Sequence, residues 1–329
     1  MTITTLESNQ KSIVEVIGNT PLVKLNEVVS TYGADVFAKV EYLNPGGSIK
    51  DRIGIFMIRD AERRGLLKDG GTIIEPTSGN TGMGLALVAG ERGYKMIFTM
   101  PDKMSYEKRR MLKDLGAEVI VTPTAVPADS PANYIEVAKW KLRETPNSWM
   151  PNQYYNLNNP LAHYMTTGPE IWKQTRGRVD VFVAGMGTGG TISGVGMFLK
   201  EKNPAITVIG VDPEGSIYHH LFEKKQGEAH PYKVEGIGED FLPGTMDMSI
   251  LDGVVVVNDQ QSFDMARRLR REEELFAGGS AGANVFAAAK VARWFAKGKT
   301  VVTVLPDSGD RYLSKFYSDG WMEENGFKV

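Results

Sequence analysis

The sequence contains no cysteine. Disulfides, thiolate metal sites and thiol nucleophiles are therefore excluded, although this absence does not fix the compartment. Histidine is scarce as well. His163, His219, His220 and His230 have no metal-ligand spacing. The adjacent His219 and His220 are expected to point apart on a regular element. No apolar run approaches the roughly 18 residues of a membrane span. The start of the chain, MTITTLESNQKSIVEV, has no apolar core of a secretion signal. An excess of one charge is also missing, since 38 basic side chains face 40 acidic ones. That balance offers nothing to attract nucleic acid. The densest basic cluster, Arg267 to Arg271, lies on a helix-like run and reads as a solvated face. A soluble cytoplasmic protein without nucleic-acid or membrane partners is expected.

What is present is enough for a large core. The 329 residues are 42% hydrophobic, which suggests two domains on a prior of roughly 150 residues each. Strand-like and helix-like segments alternate along the chain. Strands are expected at 35–41, 72–75, 95–100, 118–121, 179–184, 206–211, 254–257 and 300–305. Helices are expected at 51–67, 80–93, 105–115 and 133–144. The stretch MPNQYYNLNNP, 150–160, reads as a loop between two lobes. Such alternation is the mark of β-α-β units and parallel sheets, whose ligands gather at the carboxyl ends of the strands.

Four of the turns after strands carry chemistry-bearing residues. In NPGGSIKDR, 44–52, Lys50 stands where a glycine-rich turn enters a helix. A helix N-terminus is partly positive, so it disfavours a cation there and helps to keep an amine neutral and nucleophilic. In EPTSGNTG, 75–82, Ser78 or Asn80 could cap the next helix. Capping does not explain the whole polar run, which with free N–H groups makes a carboxylate cradle. In GMGTGGTISG, 185–194, small residues and the hydroxyls of Thr188 and Thr191 surround a helix start, as an anion site requires. This loop also satisfies the dinucleotide pattern G-x-G-x-x-G, with Asp212 after the next strand as the ribose ligand. A monophosphate and a dinucleotide are both open at this point. LPDSG, 305–309, reads by itself as an ordinary turn.

Together these stretches resemble the fold-type II pyridoxal phosphate enzymes, which include cysteine synthase and cystathionine β-synthase. GNTPLVKL (18–25), KRRMLKDLGAEVI (108–120), QYYNLNNPLAHY (153–164), GVDPEGS (210–216) and GGSAGAN (278–284) extend the likeness in order along the chain. DSPANYIEVAKWKLRETPNS (129–148), VEGIGEDFLP (234–243) and KFYSDGWMEENGF (315–327) bring it nearest to the catalytic core of cystathionine β-synthase.

The resemblance implies an α/β fold of the tryptophan synthase β type, with two lobes, each a largely parallel sheet flanked by helices. Residues 44–152 would form a smaller, mobile, substrate-binding lobe. Residues 13–43 and 153–329 would form the larger, cofactor-binding lobe, and 1–12 an N-terminal arm. The implied cofactor is pyridoxal 5'-phosphate, in Schiff-base linkage to Lys50. Asn80 would bond its ring oxygen, Gly187, Thr188, Gly189, Gly190 and Thr191 its phosphate, and Ser308 its pyridine nitrogen. Thr77, Ser78, Thr81 and Gln153 would bind the substrate carboxylate. The implied reaction is β-replacement on serine or an O-activated serine, a thiol adding to an aminoacrylate. Homocysteine is the favoured acceptor, with Glu239 receiving its amino group, and sulfide with O-acetylserine is the alternative. A nicotinamide oxidoreductase is the remote alternative, because it leaves Lys50 and the 75–82 loop unexplained. No heme is expected, since no cysteine is available as a ligand and the N-terminal heme segment of animal enzymes is absent. The chain also stops where the regulatory tandem domain of some relatives would begin, so no adenosyl-ligand control is expected. A homodimer is implied.

Overall fold

The computed structural model describes residues 12–29, 33–127 and 129–329. The arm expected over 1–12 thus lies almost wholly outside the described residues. The chain opens with β1 (Leu22–Leu25) and β2 (Asp35–Val40), followed by α1 (Lys50–Arg63), β3 (Thr72–Pro76), α2 (Asn80–Arg92) and β4 (Lys95–Pro101). Next come α3 (Tyr106–Asp114), β5 (Glu118–Thr122), α4 (Tyr134–Glu144) and β6 (Ser148–Trp149). The helices α5 (Asn158–Ala162) and α6 (Gly168–Gln174) precede β7 (Val181–Gly185), α7 (Gly190–Lys202), β8 (Thr207–Pro213) and α8 (Tyr218–Glu223). The chain continues through β9 (Gly253–Val257), α9 (Asp259–Glu272), α10 (Gly279–Ala292), β10 (Thr300–Leu305) and α11 (Asp319–Glu324).

Two sheets result. One has the order β5-β4-β3-β6 and is wholly parallel. The other has the order β1-β2-β10-β7-β8-β9 and is parallel except where β1 meets β2. Parallel strands are covered on both faces and so read as continuous apolar runs. β7 shows how the two faces divide. Val181 and Val183 join the core under α9 and α10, whereas Phe182 and Ala184 join the core under α6 and α7. Alternate side chains of a strand point to opposite faces, so one apolar strand serves two cores. A third core fills the space between the four-stranded sheet, α1 and α2.

The contact of α1 with α2 decides where Lys50 sits. A Cβ on Gly54 would lie 2.5 Å from the Gly84 carbonyl oxygen, and one on Gly84 would lie 2.5 Å from the Lys50 carbonyl oxygen. Only glycine permits backbones this close. The start of α1 is thereby pressed against α2, which itself begins at the 77–81 turn.

Three details differ from the sequence reading. The helix expected over 51–67 stops at Arg63, and Gly65 follows in a left-handed conformation at φ +67°. His219 and His220 do not point apart. Their ring centroids lie 3.8 Å from each other on the short α8, where His219 Nδ1 is 3.0 Å from Asp212 Oδ2. The basic face of α9 is partnered rather than merely solvated. Arg267 pairs with Asp319, Arg271 pairs with Glu272, and Arg270 lies over the Phe276 ring.

Candidate active site

The loops singled out in the sequence lie at the carboxyl ends of β3, β7 and β10. Lys50, the first residue of α1, meets the loop after β7 in a narrow cleft. The cleft holds some 370 Å³ of atom-free space, part of it open to solvent, and is lined by Lys50, Gly187, Thr188, Gly189 and Thr191 among others. Asn284 also faces it, and the buried Oδ1 of that residue has no hydrogen-bond partner.

The loop after β7 is shaped by what it cannot accommodate. Gly189 has φ +82°, and a Cβ there would lie 2.5 Å from Met246. A Cβ on Gly187 would lie 2.6 Å from the Gly236 carbonyl. With α7 starting at Gly190, its first N–H groups have no partner within the helix. They point with the helix dipole towards the cleft, an arrangement suited to an anion. Thr191 Oγ1 lies 3.3 Å from His163 Nε2. Burial holds His163 well below its ordinary range, with the Arg52 and Lys50 charges acting in the same direction.

Burial likewise lowers the Lys50 ammonium. Lys108 adds to that effect, while Asp307 and Glu239 oppose it. A lysine beside an anion cradle is thus biased towards the neutral, nucleophilic amine.

Asn80 and Ser308 stand next to this cleft. Asn80 Nδ2 donates to Asp307 Oδ2 at 2.8 Å, and Arg311 donates to Asn80 Oδ1. One Asn80 amide hydrogen therefore remains for a further acceptor. Asp307 forms an isolated β-bridge to Ser48, which ties the turn after β10 to the turn carrying Lys50, and Ser308 forms one to Ala277, just before α10. Asp51 helps to shape that second turn by accepting the Gly46 N–H at 2.5 Å.

The turn read in the sequence as a carboxylate cradle lies at the start of α2. Gly79 has φ +118°, and Thr77 Oγ1 accepts the N–H groups of Gly79 at 3.0 Å and Gly82 at 3.3 Å. Ser78 is half-buried in the same turn. Thr81 Oγ1 donates to Gln153 Oε1 at 2.5 Å, so the 77–81 turn and Gln153 are in direct contact.

Glu239 is half-buried. Burial, and then Asp240, push its carboxyl up to about 8, against the opposing effects of Tyr154, Lys103 and Lys50. Its charge is felt by Tyr134, Tyr154, Tyr218 and Tyr232, whose hydroxyls are all raised chiefly by burial. Glu239 is therefore a desolvated carboxyl in an aromatic surround, within electrostatic reach of Lys50.

Several polar residues of this region escaped the sequence reading. Glu75, Asn159 and Lys108 are buried. In EPTSGNTG the hydroxyls and the amide draw the eye, and the sign of Glu75 is a glutamate at the end of an apolar strand. Asn159 sits among several asparagines in NLNNP, and nothing local distinguishes it. Asp212, the ribose ligand of the dinucleotide reading, instead accepts the His219 N–H at 2.9 Å. Among the described residues no cluster of His, Cys, Asp and Glu is placed to hold a metal.

A lysine at a helix start, a glycine-rich helix N-terminus facing it and a polar turn beside it suit an enzyme whose cofactor carries a phosphate and binds amines. Comparison with known proteins gives this class its family. Residues 13–307 match the family described as pyridoxal-phosphate dependent enzyme, and the chain belongs to it. Cystathionine beta-synthase of Apis mellifera is 52% identical over 317 residues, covering 96% of this chain and 63% of the relative. That of Mus musculus is 50% identical over 318 residues, covering 96% of this chain and 56% of the relative. The chain thus spans only about 56–63% of the length of these relatives. A cysteine synthase of Staphylococcus aureus is 47% identical over 304 residues, covering 92% of this chain and 95% of the relative. The crystal structure of an O-acetylserine dependent cystathionine beta-synthase from Helicobacter pylori superposes with a TM-score of 0.86 at 40% identity. It covers 96% of this chain and 99% of that one. The family and this neighbour share the α/β architecture of two parallel-rich sheets flanked by helices.

Proposed function

We propose that the protein is a pyridoxal phosphate-dependent β-replacement enzyme acting on serine or an O-activated serine, with a thiol as the second substrate. The observation that carries this reading is the meeting of Lys50 with the 187–191 cradle in one cleft. The glycine-rich helix start with its hydroxyls and the lowered Lys50 amine fit a phosphorylated carbonyl cofactor. Gly187, Thr188, Gly189, Gly190 and Thr191 would hold its phosphate. Asn80 would hold its ring oxygen, and Ser308 would meet its pyridine nitrogen. When bound, pyridoxal phosphate withdraws electrons from the substrate's α-carbon, so the α-proton becomes acidic and the β-substituent can depart.

The remaining steps belong to the protein. The substrate carboxylate binds at Thr77, Ser78, Thr81 and Gln153, at the N-terminus of α2. Binding there brings the α-carbon to Lys50, whose Nζ removes the α-proton as general base and later returns it. Ser308 is a neutral hydroxyl and does not hold a pyridinium proton as a carboxylate would, which favours β-elimination over transamination. Residues 44–152 form the smaller, mobile lobe in this reading, and 13–43 with 153–329 the larger one. Closure of the smaller lobe excludes water before the thiol adds.

Glu239 favours homocysteine as the acceptor, which would make the product cystathionine. A half-buried carboxyl raised to about 8 gains a partner when an ammonium arrives, and sulfide brings none. Cysteine synthesis from O-acetylserine and sulfide is the second reading, and the relative in Staphylococcus aureus favours it. A cytoplasmic location is part of the proposal. No described helix is long and apolar enough to cross a membrane. A homodimer is part of the proposal. Leu157 just before α5, Leu161 within it and Met165 in the π-helical segment His163–Thr167 are exposed by 67%, 44% and 56%, and a second copy would cover them.

Product analysis tests the acceptor. Holoprotein given L-serine or O-acetylserine is offered homocysteine and sulfide in parallel. Glu239→Ala is expected to raise the KM for homocysteine at least about tenfold and to leave the KM for sulfide unchanged. Equal effects on both acceptors, or no product with either, would contradict the proposal.

A further inference from the structure

Glu75 is the last residue but one of β3 and is wholly buried. Burial pushes its carboxyl up to about 8. Among the described residues its partners are two consecutive backbone N–H groups. Asn152 donates to Oε2 at 2.7 Å, and Gln153 donates to Oε1 at 2.8 Å. A carboxyl buried without a cation is costly, so its placement needs a reason. Asn152 supplies one, because its φ of +55° is a left-handed conformation that residues with a side chain adopt uncommonly. Glu75 holds that turn in place from the end of the neighbouring strand.

The same turn is held from its other side. Asn159 Nδ2 donates to the Gln153 carbonyl at 2.8 Å and to Thr188 Oγ1 at 2.9 Å. Both backbone polar groups of Gln153 are therefore taken by side chains. Its amide group lies between Thr81 Oγ1, which donates to Oε1, and the Pro76 carbonyl, which accepts from Nε2 at 3.3 Å. A second bridge runs parallel to Asn159. Thr245 donates its N–H to the Tyr154 carbonyl at 3.1 Å and its hydroxyl to the Thr188 carbonyl at 2.6 Å.

We propose that Glu75 and Asn159 are positioning residues that clamp the backbone of Gln153 from opposite sides, fixing its amide in the substrate-carboxylate site and tying that site to the phosphate loop at Thr188. The inference rests on the reading of Gln153 as a carboxylate ligand. Its physical basis is that binding groups act only when held to within a fraction of an ångström. Glu75 itself does not touch the substrate.

The test is a mutant cycle in the holoenzyme. Glu75→Gln keeps the shape but replaces one accepting oxygen with an amide that cannot accept. It is expected to raise the KM for L-serine about tenfold while kcat stays within about threefold, as loss of binding shared equally by the ground and transition states does. Gln153→Ala is expected to do the same, and the double variant to be no worse than Gln153→Ala alone, because coupled residues are not additive. Asn159→Ala should raise the same KM and also weaken retention of pyridoxal phosphate. Amide hydrogen exchange over 150–156, measured without substrate, should be faster in Glu75→Gln and near wild type in Gln153→Ala. Additive changes in log KM, an unchanged KM in Glu75→Gln, or unchanged exchange would each overturn the clamp. Should Glu75→Gln fail to fold, the cycle of Asn159→Ala with Gln153→Ala decides by the same criterion. A wild-type holoenzyme that binds neither L-serine nor O-acetylserine would reject the functional reading, and the exchange result would still decide whether the clamp exists.

Discussion

Lys108 on α3 reaches Glu235 at 2.7 Å, and both side chains are buried. The pair joins the helix beside the four-stranded sheet to the segment that leads into Glu239. Lys315 also reaches Glu235, at 2.5 Å, and Lys108 donates to Tyr312 Oη at 3.0 Å. Tyr312 donates in turn to Asp307 at 2.6 Å, and Asp307 accepts from Asn80. A polar chain thus runs from α3 to the candidate cofactor site.

That chain predicts a stability defect. Glu235→Gln leaves the Lys108 ammonium buried without its counter-charge. Removing one member of a buried pair typically costs about 3 kcal/mol or more. Urea denaturation of the holoprotein should show a loss of that size. A change of less than about 0.5 kcal/mol, the usual range for a surface substitution, would show that the pair is not coupled to the fold.

Gly189→Ala tests the anion cradle. Alanine at φ +82° is strained, and its Cβ would meet Met246. A loss of about 2–4 kcal/mol in stability is expected, together with at least about a tenfold weakening of pyridoxal phosphate binding, followed by absorbance titration of the apoprotein. Unchanged cofactor affinity would separate this loop from the phosphate.

Glu239 predicts a pH dependence. Its carboxyl is raised to about 8 in the folded chain, against about 4.3 when unfolded. The native state therefore holds a proton that the unfolded chain releases. The associated stability is complete below the unfolded value and is lost as the pH rises through about 8. Glu239→Gln does not titrate and escapes that loss. Relative to wild type it should gain about 1–3 kcal/mol between pH 5 and about 8.5 in urea denaturation. A gap that stays constant with pH would contradict the assignment of the proton to Glu239.

Much of this site was readable because its parts are contiguous in the chain. The Lys50 turn, the 77–81 turn and the 187–191 loop each announce themselves as a strand end, a glycine-rich turn and a helix start. Glu75, Asn159 and Lys108 do not, because their meaning lies in partners far away. Glu75 meets Gln153 across 78 positions, Asn159 meets Thr188 across 29, and Lys108 meets Glu235 across 127. Hydrogen bonds over such separations leave no local pattern. The strands β1 and β6 were missed for a different reason. With four and two residues, they are too short for an alternation of apolar and polar side chains to register.

The role of Lys50 is tested most directly by trapping. Purified protein is loaded with pyridoxal phosphate, reduced with borohydride and digested, and the modified peptide is identified by mass. The expected product is a single phosphopyridoxyl group on Lys50, absent from Lys50→Ala, which should also lose turnover by at least about 10³-fold. A group found on another lysine, or a protein that takes up no cofactor, would contradict the account.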